Sequence, residues 1–248
     1  MSGRVRHAVY WVPAGALGRW GAGWLGWDVE AGRAVDHPEV DGLPRPLPEI
    51  TEEPRRYGLH ATLKPPFRLA EGRSEAGLEA AVAALAATLA PVRGPGLALT
   101  RIGGFLALVP EEGPGDGPQD APLGTGAALA RLAAATVAAL DGFRAPPGKA
   151  ELARRRAAGL TPAQEENLRR WGYPYVMGEF RFHVTLTGPL GPSEAGAVEA
   201  ALGGALRDPP GDVPLRPFAL DALAHVAERE DGRFRLIGRH PLHGSAAS

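Results

Sequence analysis

The sequence predicts an α+β fold built as a pseudo-twofold duplication, two copies of one strand, helix, strand, strand unit. Three observations predict it. His60-Ala61-Thr62-Leu63 and His183-Val184-Thr185-Leu186 share one pattern. Each is followed by proline and then by Ser-Glu-Ala-Gly, beginning at Ser74 and at Ser193. After each copy the apolar pattern reads strand, helix, strand, strand, and an internal repeat constrains a fold more than any single element does. At 248 residues the chain can bury a substantial core. The reading is one bilobal domain over 1–248, with the first motif in 57–67, a helical hairpin inserted at about 148–172 and the second motif in 179–189.

Residues 4–12 read as an opening strand rich in valine, tyrosine and tryptophan. Leu17, Trp20, Trp24 and Trp27 recur at three and four residues, which predicts a buried helix face more than a stacking platform for bases. Residues 28–54 hold five prolines and predict an extended surface loop. A strand over 59–63 should stop at Pro65-Pro66, and Ser74 should cap a helix over 75–90. Strands over 97–102 and 105–109 flank Gly103-Gly104 as a hairpin. A Gly/Pro/Asp-rich loop over 111–122 leads to an alanine-rich helix over 126–141.

Residues 148–158 and 161–171 predict the helical hairpin. Its second helix opens with Thr161 as N-cap, Pro162 in the first helical position and Gln164 in the third, and Gly172 should end it. The second half then repeats the order: a strand over 180–187 stopped by Gly188-Pro189, a helix over 193–206, and strands over 213–223, 224–228 and 234–239.

Composition excludes several function classes. With 27 basic and 28 acidic residues the net charge is −1, so a long nucleic acid is not an expected partner. The absence of cysteine removes disulfides, thiolate metal sites and cysteine nucleophiles. No apolar run reaches the roughly 18 residues of a membrane span. The expectation is a cytoplasmic protein with no membrane partner; the sequence leaves the oligomeric state open.

Alternate residues of a strand share a face about 7 Å apart, so each motif presents an imidazole beside a hydroxyl. If the halves pack about a pseudo-dyad, His60 and His183 face one another with Thr62 and Thr185 beside them. Displacement at phosphorus needs a base on one side and an acid on the other, and histidine can play either part near neutral pH. Threonine hydroxyls can donate to phosphoryl oxygens. The same alternation adds Lys64 to the first site face and Arg181 and Thr187 to the second. A lone histidine in a strand is usually structural. With nine threonines in 248 residues, however, each of seven histidines has only about a 4% chance of a threonine two positions on. No His-Glu-x-x-His or His-x-His is present, so neither a metal nor any other cofactor is expected. His7, His37, His225, His240 and His243 receive no role. The hairpin carries Lys149, Arg154, Arg155, Arg156, Arg169 and Arg170, either as a solvated face or as a lid. Arg154 and Arg156 are its candidates for gripping a second phosphate, and Tyr57 and Tyr175 complete the candidate substrate contacts.

The paired His-x-Thr-Leu motifs resemble the signature of the 2H phosphoesterase superfamily, which includes cyclic phosphodiesterases and 2′-5′ RNA ligase-like proteins. Longer segments are similar to one family within it, associated with phosphonate metabolism. These are Arg56 through Phe67, Gly103 through Pro110, Glu151 through Arg156, Trp171 through Val176 and Glu179 through Gly188. The resemblance covers nearly the whole chain. It implies a bilobal α+β fold with two antiparallel sheets around a central cleft and helices outside, and metal-independent hydrolysis, with His60 and His183 catalytic and Thr62 and Thr185 binding phosphate. It also implies a small phosphorylated substrate such as phosphoribosyl 1,2-cyclic phosphate. Two other readings compete: an enzyme acting on 2′,3′-cyclic or 2′-5′ linked RNA ends, and a non-catalytic nucleotide- or RNA-binding module.

Overall fold

The computed structural model describes residues 5–111, 124–207 and 215–244. The chain opens with β1 (Arg6–Trp11), α1 (Gly15–Leu25), the short strands β2 (Trp27–Asp28) and β3 (Arg33–Ala34), and the single-turn helices α2 (Leu47–Ile50) and α3 (Glu52–Arg55). The first motif lies on β4 (Ala61–Arg68), followed by α4 (Glu75–Ala86), β5 (Val92–Gly94), β6 (Leu97–Ile102) and β7 (Phe105–Pro110). Next come α5 (Thr125–Ala139) and the hairpin of α6 (Lys149–Arg156) and α7 (Pro162–Trp171). The second motif lies on β8 (Val184–Thr185), followed by α8 (Pro192–Arg207), β9 (Phe218–Leu220), β10 (Ala222–Glu228) and β11 (Phe234–Pro241). The loop expected at 111–122 falls, apart from Glu111, outside the described residues.

Local signals placed the start of α4 and both ends of α7. The Ser74 hydroxyl accepts the Gly77 N–H at 3.1 Å. Thr161 and Gln164 form the reciprocal capping box, and Gly172 closes α7 in the left-handed region at φ 73°. Leu17 and Trp24 form a buried face of α1, with Trp24 stacked on Trp20 at 5.8 Å, but Trp27 lies beyond the helix, on β2, and packs in a different cluster. Residues 28–54, expected as extended loop, contain instead a small β2–β3 ribbon and two helical turns.

The expectation of two separate sheets around the cleft is corrected. The motif strands belong to one antiparallel seven-stranded sheet, in the order β11-β10-β1-β4-β8-β7-β6. Within it β4 and β8 are joined to each other by a single residue pair, Ala61 opposite Val184. The main core lies on one face and takes residues from α1, α4, α5 and α8. A smaller cluster, with Tyr10 of β1, Trp27 of β2, Val226 of β10 and Phe234 of β11, is separate from it. Helical residues Thr125–Phe143 are long and apolar enough to cross a membrane by length and composition. In this fold they place Leu129, Leu132 and Leu140 in the main core.

β4 also runs through Pro65 and Pro66, which had been expected to end it. Proline cannot donate to a ladder. The β8 ladder touches β4 only at Ala61. The β1 ladder changes register between Val9–Lys64 and His7–Phe67, where the prolines fall.

A buried titratable group lies between the sheet and α4. His225 Nε2 is 3.1 Å from His7 Nδ1, its Nδ1 bonds Glu79, and His240 Nε2 bonds the other Glu79 oxygen at 2.8 Å. A Cβ on Gly238 would fall 1.7 Å from Glu79 Oε1, so this approach requires glycine. Burial lowers the His7 pKa and the charge of His225 adds to the fall. Burial also lowers that of His225, against the opposing pull of Glu79. The folded state thus binds these protons more weakly than the unfolded chain. Their contribution to stability is complete above about pH 6.5 and is lost as pH falls below it. Urea midpoints should therefore drop between pH 7 and pH 5, with a shallower slope in His7→Gln. A flat profile in the parent chain would count against this assignment.

Candidate active site

The two motifs meet where β4 and β8 pair. Ala61 and Val184 face the core with Leu63 and Leu186, and all four are essentially inaccessible. Alternation turns His60, Thr62, His183 and Thr185 to the opposite face. In an antiparallel pair, the residue before one partner lies across from the residue after the other. His60 is thus placed across from Thr185, and Thr62 across from His183. All four line one cleft of about 840 Å³.

The imidazoles are held alike. His60 Nδ1 is 2.9 Å from the Gly58 carbonyl, and His183 Nδ1 is 2.8 Å from the Arg181 carbonyl. A carbonyl only accepts, so the neutral ring donates from Nδ1 and leaves Nε2 as an acceptor. Gly58 adopts φ 70°, and a Cβ there would come within 2.7 Å of Val29, so this orienting carbonyl depends on glycine. The surroundings differ. Tyr10 stacks on His60 at 4.0 Å between centroids, with Tyr57 at 5.6 Å. His183 has Phe105 at 6.0 Å. Burial lowers the His60 pKa to about 4; the Gly58 bond opposes that fall and the charge of His183 adds to it. At neutral pH the His60 imidazole is therefore uncharged.

Of the other candidates, Tyr57, Tyr175, Arg154 and Arg181 line the cleft, and Tyr175 is 47% exposed. Two are corrected, Lys64 and Arg156. Lys64 is not on the site face: it is 2% exposed, and its Nζ lies 3.2 Å from the Val137 carbonyl and 3.4 Å from Asp141. The irregular register of β4 beyond Thr62 breaks the alternation that had placed it there. Burial lowers its pKa to about 8, against the attraction of Asp141. Thr187 lines the cleft, and its hydroxyl accepts the Leu106 N–H at 3.0 Å. Arg156 points away and forms an exposed pair with Glu165 across the hairpin.

Sequence reasoning missed Arg6, Tyr10, Arg155 and Tyr173, which also line the cleft. Tyr10 lies opposite Thr62 in the β1–β4 ladder. The sequence alone gives no sign that the opening strand pairs with the first motif. Among the described residues, no group of three or more histidine, aspartate or glutamate side chains is arranged to hold a metal ion.

Two curated relatives align along most of the chain. "Ribose 1,5-bisphosphate phosphokinase PhnN" of Janthinobacterium sp. (strain Marseille) is 35% identical over 230 residues, covering 92% of this chain and 48% of the relative. The protein of the same name from Laribacter hongkongensis (strain HLHK9) is 38% identical over 239 residues, covering 94% of this chain and 50% of the relative. The chain therefore spans about half the length of these relatives. A solved structure titled "Crystal structure of phosphoesterase" aligns over 96% of this chain and 97% of its own, with 15% identity and a TM-score of 0.38. A family model described as "Protein of unknown function (DUF1045)" matches residues 62–235, well over half of the sequence. The chain belongs to the DUF1045 family.

Proposed function

We propose that this chain is a metal-independent cyclic phosphodiesterase acting on a small phosphorylated sugar. The observation that carries the reading is the patch of His60, Thr62, His183 and Thr185, built by two matching motifs across one strand pair. His60 accepts a proton from water through Nε2, and the water oxygen bonds to phosphorus. The ring P–O bond breaks, and His183, as imidazolium, donates its proton to the departing oxygen. Thr62 and Thr185 donate to the non-bridging oxygens. His60 is assigned the base because burial keeps it neutral. On this reading the two halves are copies of one unit, each supplying a histidine and a threonine.

The relatives' name supports a pentose substrate. Opening a 5-phosphoribosyl 1,2-cyclic phosphate at the P–O2 bond yields ribose 1,5-bisphosphate, the compound in that name. Neither Lys64 nor Lys149 stands in a Gly-x-x-x-x-Gly-Lys-Ser/Thr phosphate loop. The stretch that this chain shares with those phosphokinases therefore lacks that nucleotide-binding signature.

Phosphorus NMR with a panel of cyclic phosphates tests the proposal. The 1,2-cyclic 5-phosphate should be converted to a single bisphosphate, and conversion should survive dialysis against EDTA. Loss on chelation with rescue by a divalent ion would sink the two-histidine mechanism. Conversion of nucleoside 2′,3′-cyclic phosphates alone would move the RNA-end reading ahead.

A further inference from the structure

Every tyrosine of the chain lines this cleft: Tyr10, Tyr57, Tyr173 and Tyr175. Three of them have their ring faces engaged. Tyr10 stacks on His60. Tyr57 packs on Phe234 at 5.2 Å and flanks His60. The Arg155 guanidinium lies over Tyr173, 4.5 Å from its ring centre. What these three can offer a ligand is their hydroxyls, and a hydroxyl group beside guanidinium groups is the chemistry of anion recognition.

Tyr10 makes the case most sharply. It is 1% exposed, and its hydroxyl has no hydrogen-bond partner among the described residues. No fully buried polar side-chain atom is left unpartnered there. The small residual exposure of Tyr10 lies where its side chain borders the cleft. Tyr57, Tyr173 and Arg6 lie near enough to influence its ionisation. Burial raises the pKa of Tyr10 and of Tyr173, so both remain protonated donors at neutral pH. Arg155 is fixed by Glu151 at 2.7 Å and Arg6 by a two-pronged pair with Glu228, so both guanidinium groups are preoriented.

We infer that the part of the cleft beside His60 is a second phosphate subsite, where the hydroxyls of Tyr10, Tyr57 and Tyr173, with Arg155 and Arg6, bind a non-scissile phosphate monoester. The inference rests on the two-histidine reading and deepens it: the scissile phosphate lies among the histidines and threonines, and the monoester beyond Tyr10. It moves this role away from Arg156 and adds residues from three separate stretches of the chain.

Ribose 5-phosphate, ribose and adenosine, titrated into the intact chain and followed by NMR, test the subsite without turnover. Ribose 5-phosphate should bind at least about tenfold tighter than ribose, the size of one hydrogen bond to a charged group. Tyr10→Phe and Tyr57→Phe keep the rings and should each shrink that ratio several-fold, with unchanged circular dichroism. Equal binding of the two sugars, or Phe variants that leave the ratio intact, would overturn the subsite. So would adenosine binding tighter than ribose 5-phosphate, which would point to a base on the open face of Tyr175. Hydrolysis separates the two proposals. If only the subsite is wrong, cyclic phosphates with and without the 5-phosphate react equally and still require His60. If only the catalytic reading is wrong, nothing reacts, yet ribose 5-phosphate binding still depends on the tyrosine hydroxyls.

Discussion

His60→Ala and His183→Ala are each expected to lower kcat/KM on the cyclic phosphate by about 10²–10⁴, the range for loss of a positioned acid or base. The two losses should not add, because one proton is taken and one given in a single displacement. The pH profile should tell the variants apart. With His60 as base at a pKa of about 4, activity in the parent chain should rise through about pH 4 as His60 loses its proton. Residual activity of His183→Ala should keep that limb, and residual activity of His60→Ala should lose it. The melting temperature of His183→Ala should change little. His60→Ala removes a ring stacked on Tyr10, so His60→Gln is the better control for folding. Near-full turnover by either alanine variant would remove that histidine from the mechanism.

The site was legible where one short-range rule governs it. Period-two alternation needs no tertiary knowledge, and it put His60 and Thr62 on one face and Ala61 and Leu63 on the other, as Ala61 and Leu63 in the core bear out. The same rule failed two residues later. Lys64 was assigned by extrapolating an ideal strand, but the β1–β4 ladder slips at Lys64, and the side chain turns toward Val137 and Asp141. Pro65-Pro66 reads as a strand stop, which would hold if β4 were paired along both edges there. It is not, so the strand continues. The helical hairpin was legible to the level of its caps because Thr161, Pro162 and Gln164 act within one turn. What its arginines do was not legible. Arg155 and Arg156 are neighbours in sequence, yet one lies over Tyr173 and the other meets Glu165 on the outside, a difference set by the packing of the hairpin. Tyr10 and the joining of both motifs into one sheet depend on pairings between distant segments, which no local pattern encodes.

Trp24→Ala should cost about 3–5 kcal/mol of stability, the usual range for deleting a large aromatic from a packed core. Trp24 is almost wholly buried in α1, stacked on Trp20, and its Nε1 donates to the Leu186 carbonyl at 2.8 Å. That carbonyl belongs to the residue after Thr185, so the indole ties the first helix to the second motif. Two contributions can be separated. Trp24→Phe keeps an aromatic ring in the core but leaves the Leu186 carbonyl without its donor, and an unsatisfied buried acceptor costs about 1–3 kcal/mol. The phenylalanine variant should therefore fall between the parent chain and the alanine variant in urea denaturation, with similar m-values for all three. Because the lost bond fixes the backbone beside Thr185, Trp24→Phe should also raise KM for the cyclic phosphate under conditions where it is fully folded. An alanine variant within about 1 kcal/mol of the parent would show that α1 lies outside the cooperative core, and its tie to Leu186 would then contribute nothing to holding the second motif in place.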